Sequence, residues 1–183
     1  MSEFSDVFAA VAHVNGWMTH DQAQRLWNRS SELTAGATVV EIGSFQGRSM
    51  CVLASAAAPG VTLFAIDPHG GNDRGPQEIE GFVEEAESDH RLFLRNLESA
   101  GVRDRVTYLR KFANDALPDV PQDIDLLYVD GAHRFAPASQ DIRQWGAKVK
   151  AGGRLLVHDS FSDRKSTRLN SSHIPLSRMP SSA

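Results

Sequence analysis

The chain has 183 residues, 41% hydrophobic and 23% charged, which is the composition of one ordinary globular domain able to bury a real core. Its net charge of −4 argues against nucleic acid as the main partner, because phosphate contact relies on clustered Lys and Arg. No apolar run approaches a membrane span, the first six residues lack the basic-then-apolar order of a signal peptide, and the lone Cys51 permits no intramolecular disulfide, so a soluble, cytoplasmic protein without membrane association is expected.

Helical and strand periods then alternate along the chain. Phe4, Val7, Phe8 and Val11 recur at helical spacing, and Thr19 with Gln22 offers a capping box for a second helix carrying Ala23, Leu26 and Trp27. These two helices form an expected N-terminal cap over residues 1–36. A first strand at Thr38–Val40 is followed by a helix through Met50, Cys51, Leu53, Ala54 and Ala57, which Pro59-Gly60 stops. Strand two is Val61–Ile66, and a loop from Pro68 to Pro76 leads into a long helix marked by Ile79, Phe82, Val83, Ala86, Phe93, Leu94 and Leu97. Strands three and four are Val106–Leu109 and Ile124–Val129. Ile142, Trp145 and Val149 repeat at helical spacing before Gly152-Gly153 turns the chain into strand five, Arg154–Val157. Strand alternating with helix predicts an α/β fold, a three-layer αβα sandwich on a mainly parallel sheet with right-handed crossovers. Ligands of such sheets bind outside the carboxyl ends of the strands, where Gly43, Asp67, Asp130 and Asp159 fall.

The turn after strand one carries the most chemistry. Gly43 and Gly47 suit positions where backbone must approach a ligand or take a positive φ, and the helix that follows would aim unpaired N–H groups at it. Asp67, twenty residues beyond Gly47, can accept hydrogen bonds from two ribose hydroxyls. Phe45 and Arg48 stand where a dinucleotide loop would place its second and third glycines, which disfavours a nicotinamide-dependent oxidoreductase. Glu41, two residues before the first glycine, would repel phosphate but attract a sulfonium or ammonium group.

Val40-Glu41-Ile42-Gly43-Ser44, Ala65-Ile66-Asp67-Pro68, Tyr128-Val129-Asp130-Gly131-Ala132-His133 and Gly152–Asp159, taken in this order, resemble the class I S-adenosylmethionine-dependent methyltransferases, most of all the small stand-alone bacterial ones. The resemblance implies a Rossmann-like domain over residues 37–162, lacking the last two of the family's usual seven strands. It implies S-adenosylmethionine held by Glu41, Gly43, Ser44, Gly47, Asp67 and Asp130, with Phe112, after strand three, against the adenine. The expected reaction is methyl transfer to a small-molecule acceptor at a hydroxyl oxygen; a non-catalytic donor-binding module is the alternative. Asp130 and Asp159 end neighbouring strands and could share a Mg2+ ion, although Ser160 is a poor further ligand. His133, three residues after Asp130, could instead take the acceptor's proton, its unperturbed pKa lying near working pH. His69 is a candidate for the pocket wall. His158, next to Asp159 on a strand, is expected to face the other way and pack in the core. Acceptor identity and oligomeric state stay open.

Residues 163–183 break the pattern, with six serines and two prolines and no apolar period. Read back into DNA, residues 163–173 and 177–183 resemble a sequencing adapter translated in frame. The expectation is a non-native, disordered tail, with authentic sequence stopping near Ser162. The tail holds four Lys/Arg against one Asp, so residues 1–162 carry −7.

Overall fold

The computed structural model describes residues 3–70, 82–130 and 142–158. In chain order the elements are α1 (Phe4–Ala10), α2 (His20–Ser31), β1 (Thr38–Ile42), α3 (Arg48–Ala56), β2 (Thr62–Ile66), α4 (Phe82–Ser99), β3 (Val106–Leu109), α5 (Ala113–Ala116), β4 (Ile124–Val129) and β5 (Val149–Val157), with residues 142–146 also helical. The five strands make one parallel sheet in the order β3-β2-β1-β4-β5. This is the expected Rossmann-like α/β architecture. The order reverses between β1 and β4, which makes the carboxyl edge there the topological switch point where ligands of such sheets bind.

Right-handed crossovers decide which helix covers which face. Moving from β1 to β2 to β3 keeps α3 and α4 on one side, where Val39, Leu63, Ala65, Leu126 and Tyr128 meet Met50, Leu53, Phe93 and Leu97. Val11, Val14 and Met18 after α1, with Ala23 and Leu26 of α2, extend the same core. On the other side Val40, Ile42, Phe64, Ile66, Leu127 and Val129 pack with Ala116, Val120 and Trp145. Both faces of β1 are buried, so it reads as five apolar-walled positions rather than an alternation.

The Thr19–Gln22 capping box forms, Thr19 N–H donating to Gln22 Oε1 at 2.7 Å and Gln22 N–H to Thr19 Oγ1 at 3.3 Å. Ser30 Oγ donates to Leu53 O at 2.7 Å, which ties α2 to α3. Arg105 covers the carbonyls at the end of α3, donating to Ala54 O, Ala57 O and Ala58 O at 2.5, 2.7 and 3.0 Å.

Strand five differs from expectation. Val149 is its first residue and pairs with Ile124, while Arg154 pairs with Leu126. The residues between them bulge, with Gly152 at φ 81°. Helical spacing had put Val149 on the preceding helix and made Gly152-Gly153 a turn before the strand. A Cβ on Gly153 would stand 2.8 Å from both Ile124 O and Val149 Cγ1, so the glycine serves close strand approach within the bulge. No helix among the described residues is long and apolar enough to cross a membrane. Residues 163–183 and Ile79 lie outside the described residues.

Candidate active site

The strand register lines up the carboxyl edge. Ile42 pairs with Ile66 and Val129, Ile66 with Leu109, and Val129 with Val157. One residue further on, Gly43 N–H donates to Ile66 O, Asp67 N–H to Leu109 O, Asp130 N–H to Ile42 O and His158 N–H to Val129 O. Side chains alternate along a strand, so Glu41, Asp67, Asp130 and His158 share the parity of Val39, Ala65, Tyr128 and Leu156, on the α3 face. The sheet thus gathers three carboxylates and an imidazole beside the loop that follows β1.

Glu41 is fully buried. Burial pushes its carboxyl up to about 7; the Ser49 and Ser44 hydroxyls favour the charged form, and the Asp130 and Asp67 charges oppose it. Among the described residues neither carboxyl oxygen has a donor aligned well enough for a hydrogen bond. A buried carboxyl in that condition is stabilised by a nearby cation. Glu41 is closed off from the surface, beneath the loop that follows β1.

Asp67 is engaged by the backbone of the loop and of its own turn. Its Oδ2 accepts the Phe45 N–H at 2.8 Å and its Oδ1 the His69 N–H at 2.7 Å. The carboxylate therefore fastens the glycine loop to the end of β2, and among the described residues one lone pair on each oxygen remains for a further donor. Phe45 sits at φ 44° and His69 at φ 42°, a left-handed conformation that costs a side-chain-bearing residue about 1–2 kcal/mol. His69 does not line a pocket wall; its side chain is 1% exposed, and Nε2 stands 2.7 Å from Phe45 O.

Gly43 and Gly47 adopt φ 86° and 85°. At Gly47 a Cβ would lie 3.1 Å from Phe93 Cδ2. Its glycine is required by the start of α3 and by packing on α4. The loop is further held by Asn96 Nδ2 donating to Gln46 O at 2.8 Å and Gln46 Nε2 donating to Asp89 Oδ1 at 2.7 Å. Ser44 is buried beside Glu41. Arg48, first residue of α3, reaches back to Gly16 O at 3.2 Å and lies over the Phe8 ring, which brings the N-terminal segment to the loop. Trp17 is half exposed, its ring 5.6 Å from that of Phe45 at the rim.

On the other side of the switch point, His158 Nδ1 lies 2.8 Å from Asp130 Oδ1, and the Tyr128 hydroxyl donates to Asp130 Oδ2 at 3.3 Å. Packing in the core was the expectation for His158, reasoned from Asp159. The ring is buried as expected, 2% exposed, and the pairing of Val129 with Val157 makes its neighbour Asp130. His133 and Asp159 lie outside the described residues. Among the described residues no three His, Cys, Asp or Glu side chains cluster as a metal site. Phe112, after β3, is 66% exposed and belongs to no core. Cys51 is buried, its thiol pushed up to about 12 by burial, as an inert core residue should be.

Comparison with known proteins agrees with this geometry. A methyltransferase-domain family model matches residues 40–160. An uncharacterized protein of Sinorhizobium fredii, y4gI, is 30% identical over 126 residues; the match takes 67% of this chain but only 13% of that relative's length. Among solved structures, a putative O-methyltransferase from Klebsiella pneumoniae superposes with a TM-score of 0.63 at 17% identity, covering 92% of this chain and 70% of that one. The O-methyltransferase TomG of Streptomyces achromogenes, solved with S-adenosylmethionine, gives 0.60 at 20% identity, with 86% and 66% covered. Cofactor-bound Rv0187 from MTB gives 0.56 at 22% identity, with 84% and 63% covered. With the sheet order and the family match in agreement, the chain belongs to the methyltransferase-domain family.

Proposed function

We propose that this protein transfers a methyl group from S-adenosylmethionine to a hydroxyl oxygen of a small-molecule acceptor. The observation that carries the reading is the convergence of Glu41, Asp67 and Asp130 on one face of the sheet around the Gly43–Gly47 loop, in a chain of the methyltransferase family. The O-methyltransferases among its structural neighbours support oxygen as the receiving atom.

The chain's own residues suit a cationic nucleotide donor. When bound, S-adenosylmethionine would supply an electrophilic methyl group on a positively charged sulfur. Glu41, buried and without an aligned donor among the described residues, gains from that charge and in turn favours it. Asp67 offers its remaining lone pairs to ribose hydroxyls while keeping Phe45 and His69 fixed. Gly43 and Ser44 present the backbone of the loop, Gly47 shapes it, and Phe112 offers a ring to the adenine. Displacement at a methyl carbon needs alignment above all, so a rigid loop supplies much of the acceleration. Asp130 and His133 are the groups assigned to the acceptor hydroxyl's proton, with His158 orienting the Asp130 carboxylate. A Mg2+ ion between Asp130 and Asp159 fits less well, because Asp130 Oδ1 stands 2.8 Å from His158 Nδ1 and Oδ2 accepts from Tyr128. The route through His133 needs no metal. A reducing, cytoplasmic setting suits the single buried thiol.

Titration calorimetry with S-adenosylmethionine and S-adenosylhomocysteine tests the donor site, and methyl transfer to a panel of sugars and other small hydroxyl compounds tests the reaction. Binding of both with transfer to at least one acceptor is expected. No heat with either ligand refutes the donor site, tight binding of a nicotinamide dinucleotide in their place revives the oxidoreductase, and donor binding without any transfer leaves a binding module.

A further inference from the structure

We propose that His69 is a positioning residue of the donor site, whose Nε2–H holds the glycine loop in its strained shape by donating to Phe45 O. The consequence for donor affinity rests on the function proposed above; the mechanics do not. β2 ends its pairing at Ile66, and β1 ends at Ile42, so neither ladder obliges Phe45 or His69 to adopt a positive φ. Both residues hold that conformation because they satisfy each other's backbone through Asp67. Phe45 N–H goes to Asp67 Oδ2, His69 N–H to Asp67 Oδ1, and Phe45 O is met by the His69 ring at 2.7 Å. Strain that the surroundings over-determine in this way is characteristic of ligand clamps.

The ring itself is locked. Its Nδ1 stands 2.5 Å from the Tyr108 hydroxyl, which lies 3.0 Å from Asp67 O. The His90, Phe93 and Tyr108 rings surround it at centroid distances of 5.3, 5.4 and 5.5 Å. Counting protons fixes the direction of the loop bond. A carbonyl oxygen only accepts, so Nε2 must carry a proton. If Tyr108 gives its single proton to Asp67 O, Nδ1 donates as well and the ring is an imidazolium facing Asp67, with His90, Glu87 and Arg110 beyond it. If Tyr108 gives it to Nδ1, the ring is neutral. The Nε2–H bond to the loop is the same in both arrangements, so the clamp does not depend on where the Tyr108 proton points.

The test compares His69→Asn, His69→Gln and Tyr108→Phe with the wild type by amide hydrogen exchange over residues 43–47 of the ligand-free protein, and by calorimetry with S-adenosylhomocysteine. Asparagine places no donor at the Nε2 position, whereas the glutamine amide nitrogen does. Exchange about tenfold faster and binding about tenfold weaker are expected for His69→Asn, with His69→Gln near wild type. Wild-type exchange in His69→Asn, or His69→Gln as loose as His69→Asn, overturns the assignment. Should His69→Asn fail to fold, Tyr108→Phe keeps the ring packing and loses the hydroxyl that meets His69 Nδ1 and Asp67 O; faster loop exchange supports the clamp and unchanged exchange overturns it. A wild type that binds no S-adenosylhomocysteine yet shows the expected exchange pattern leaves the clamp standing and defeats the donor reading instead.

Discussion

Replacing Glu41 by glutamine should stabilise the protein and impair it, and the stabilisation should grow with pH. Burial raises the Glu41 carboxyl from the usual 4.5 to about 7, so between those values the folded protein holds a proton that the unfolded chain releases. Stability therefore falls as pH rises through this window, the reverse of a salt-bridged carboxylate. Each pK unit is worth about 1.4 kcal/mol, so from pH 5 to pH 8 the wild type forfeits about 2.5 kcal/mol on account of this side chain. Glutamine has nearly the same shape, carries no charge, and can exchange hydrogen bonds with the Ser44 and Ser49 hydroxyls named above. Urea denaturation of both proteins at several pH values gives the test, because the difference between them cancels every other titrating group. The gap should open from about 1 kcal/mol or less at pH 5 to about 3 kcal/mol at pH 8. A gap that stays constant across that range refutes the reasoning, whatever its size. Donor binding should move the other way, with S-adenosylmethionine, whose sulfur is positive, losing more affinity in Glu41→Gln than the neutral-sulfur S-adenosylhomocysteine. Equal losses for the two ligands would show that the buried charge does not act on the sulfonium.

Gly47→Ala places a Cβ 3.1 Å from Phe93 Cδ2 at a φ of 85°, and should cost roughly 2 kcal/mol, lowering the melting temperature by about 5 °C. Part of that loss should return in a Phe93→Leu background, since the two side chains share one space. Asp67→Asn leaves one of two backbone N–H groups, at Phe45 or His69, without its carboxylate acceptor; S-adenosylhomocysteine should then bind about tenfold more weakly by calorimetry. Asp130→Asn should lower kcat by about 10²-fold or more. His158→Gln should lower it less and displace its pH profile, an effect that loss of packing alone would not produce; an unmoved profile would confine His158 to a structural role.

How far the sequence could be read depended on whether a feature is local. The β1, β2, β3 and β4 runs are apolar and end at turn residues, so their positions were legible, and so was the order of helix and strand that makes the sheet parallel. The loop after β1 and the carboxylate after β2 were legible for the same reason, each being a short pattern with a physical purpose. Register is different, because it belongs to pairs of strands far apart in the chain. Reasoning along β5 alone gave His158 a buried place, as it has, but not its partner, which the pairing of Val129 with Val157 makes Asp130. The same blindness hid the bulge at Gly152-Gly153, which lets Val149 join the strand although its spacing is helical. A glycine in a loop does not reveal which protein neighbour excludes its Cβ, and for Gly47 that neighbour is Phe93 of α4. His69 shows the point most fully. Nothing within the run Asp67-Pro68-His69 states that the ring is needed by Phe45, since the carbonyl it meets is exposed to it only once β1 and β2 lie side by side. Residues that bind a ligand directly leave local signatures, whereas those that hold the binders in place are defined by contacts across the sheet, and a site of this kind needs both.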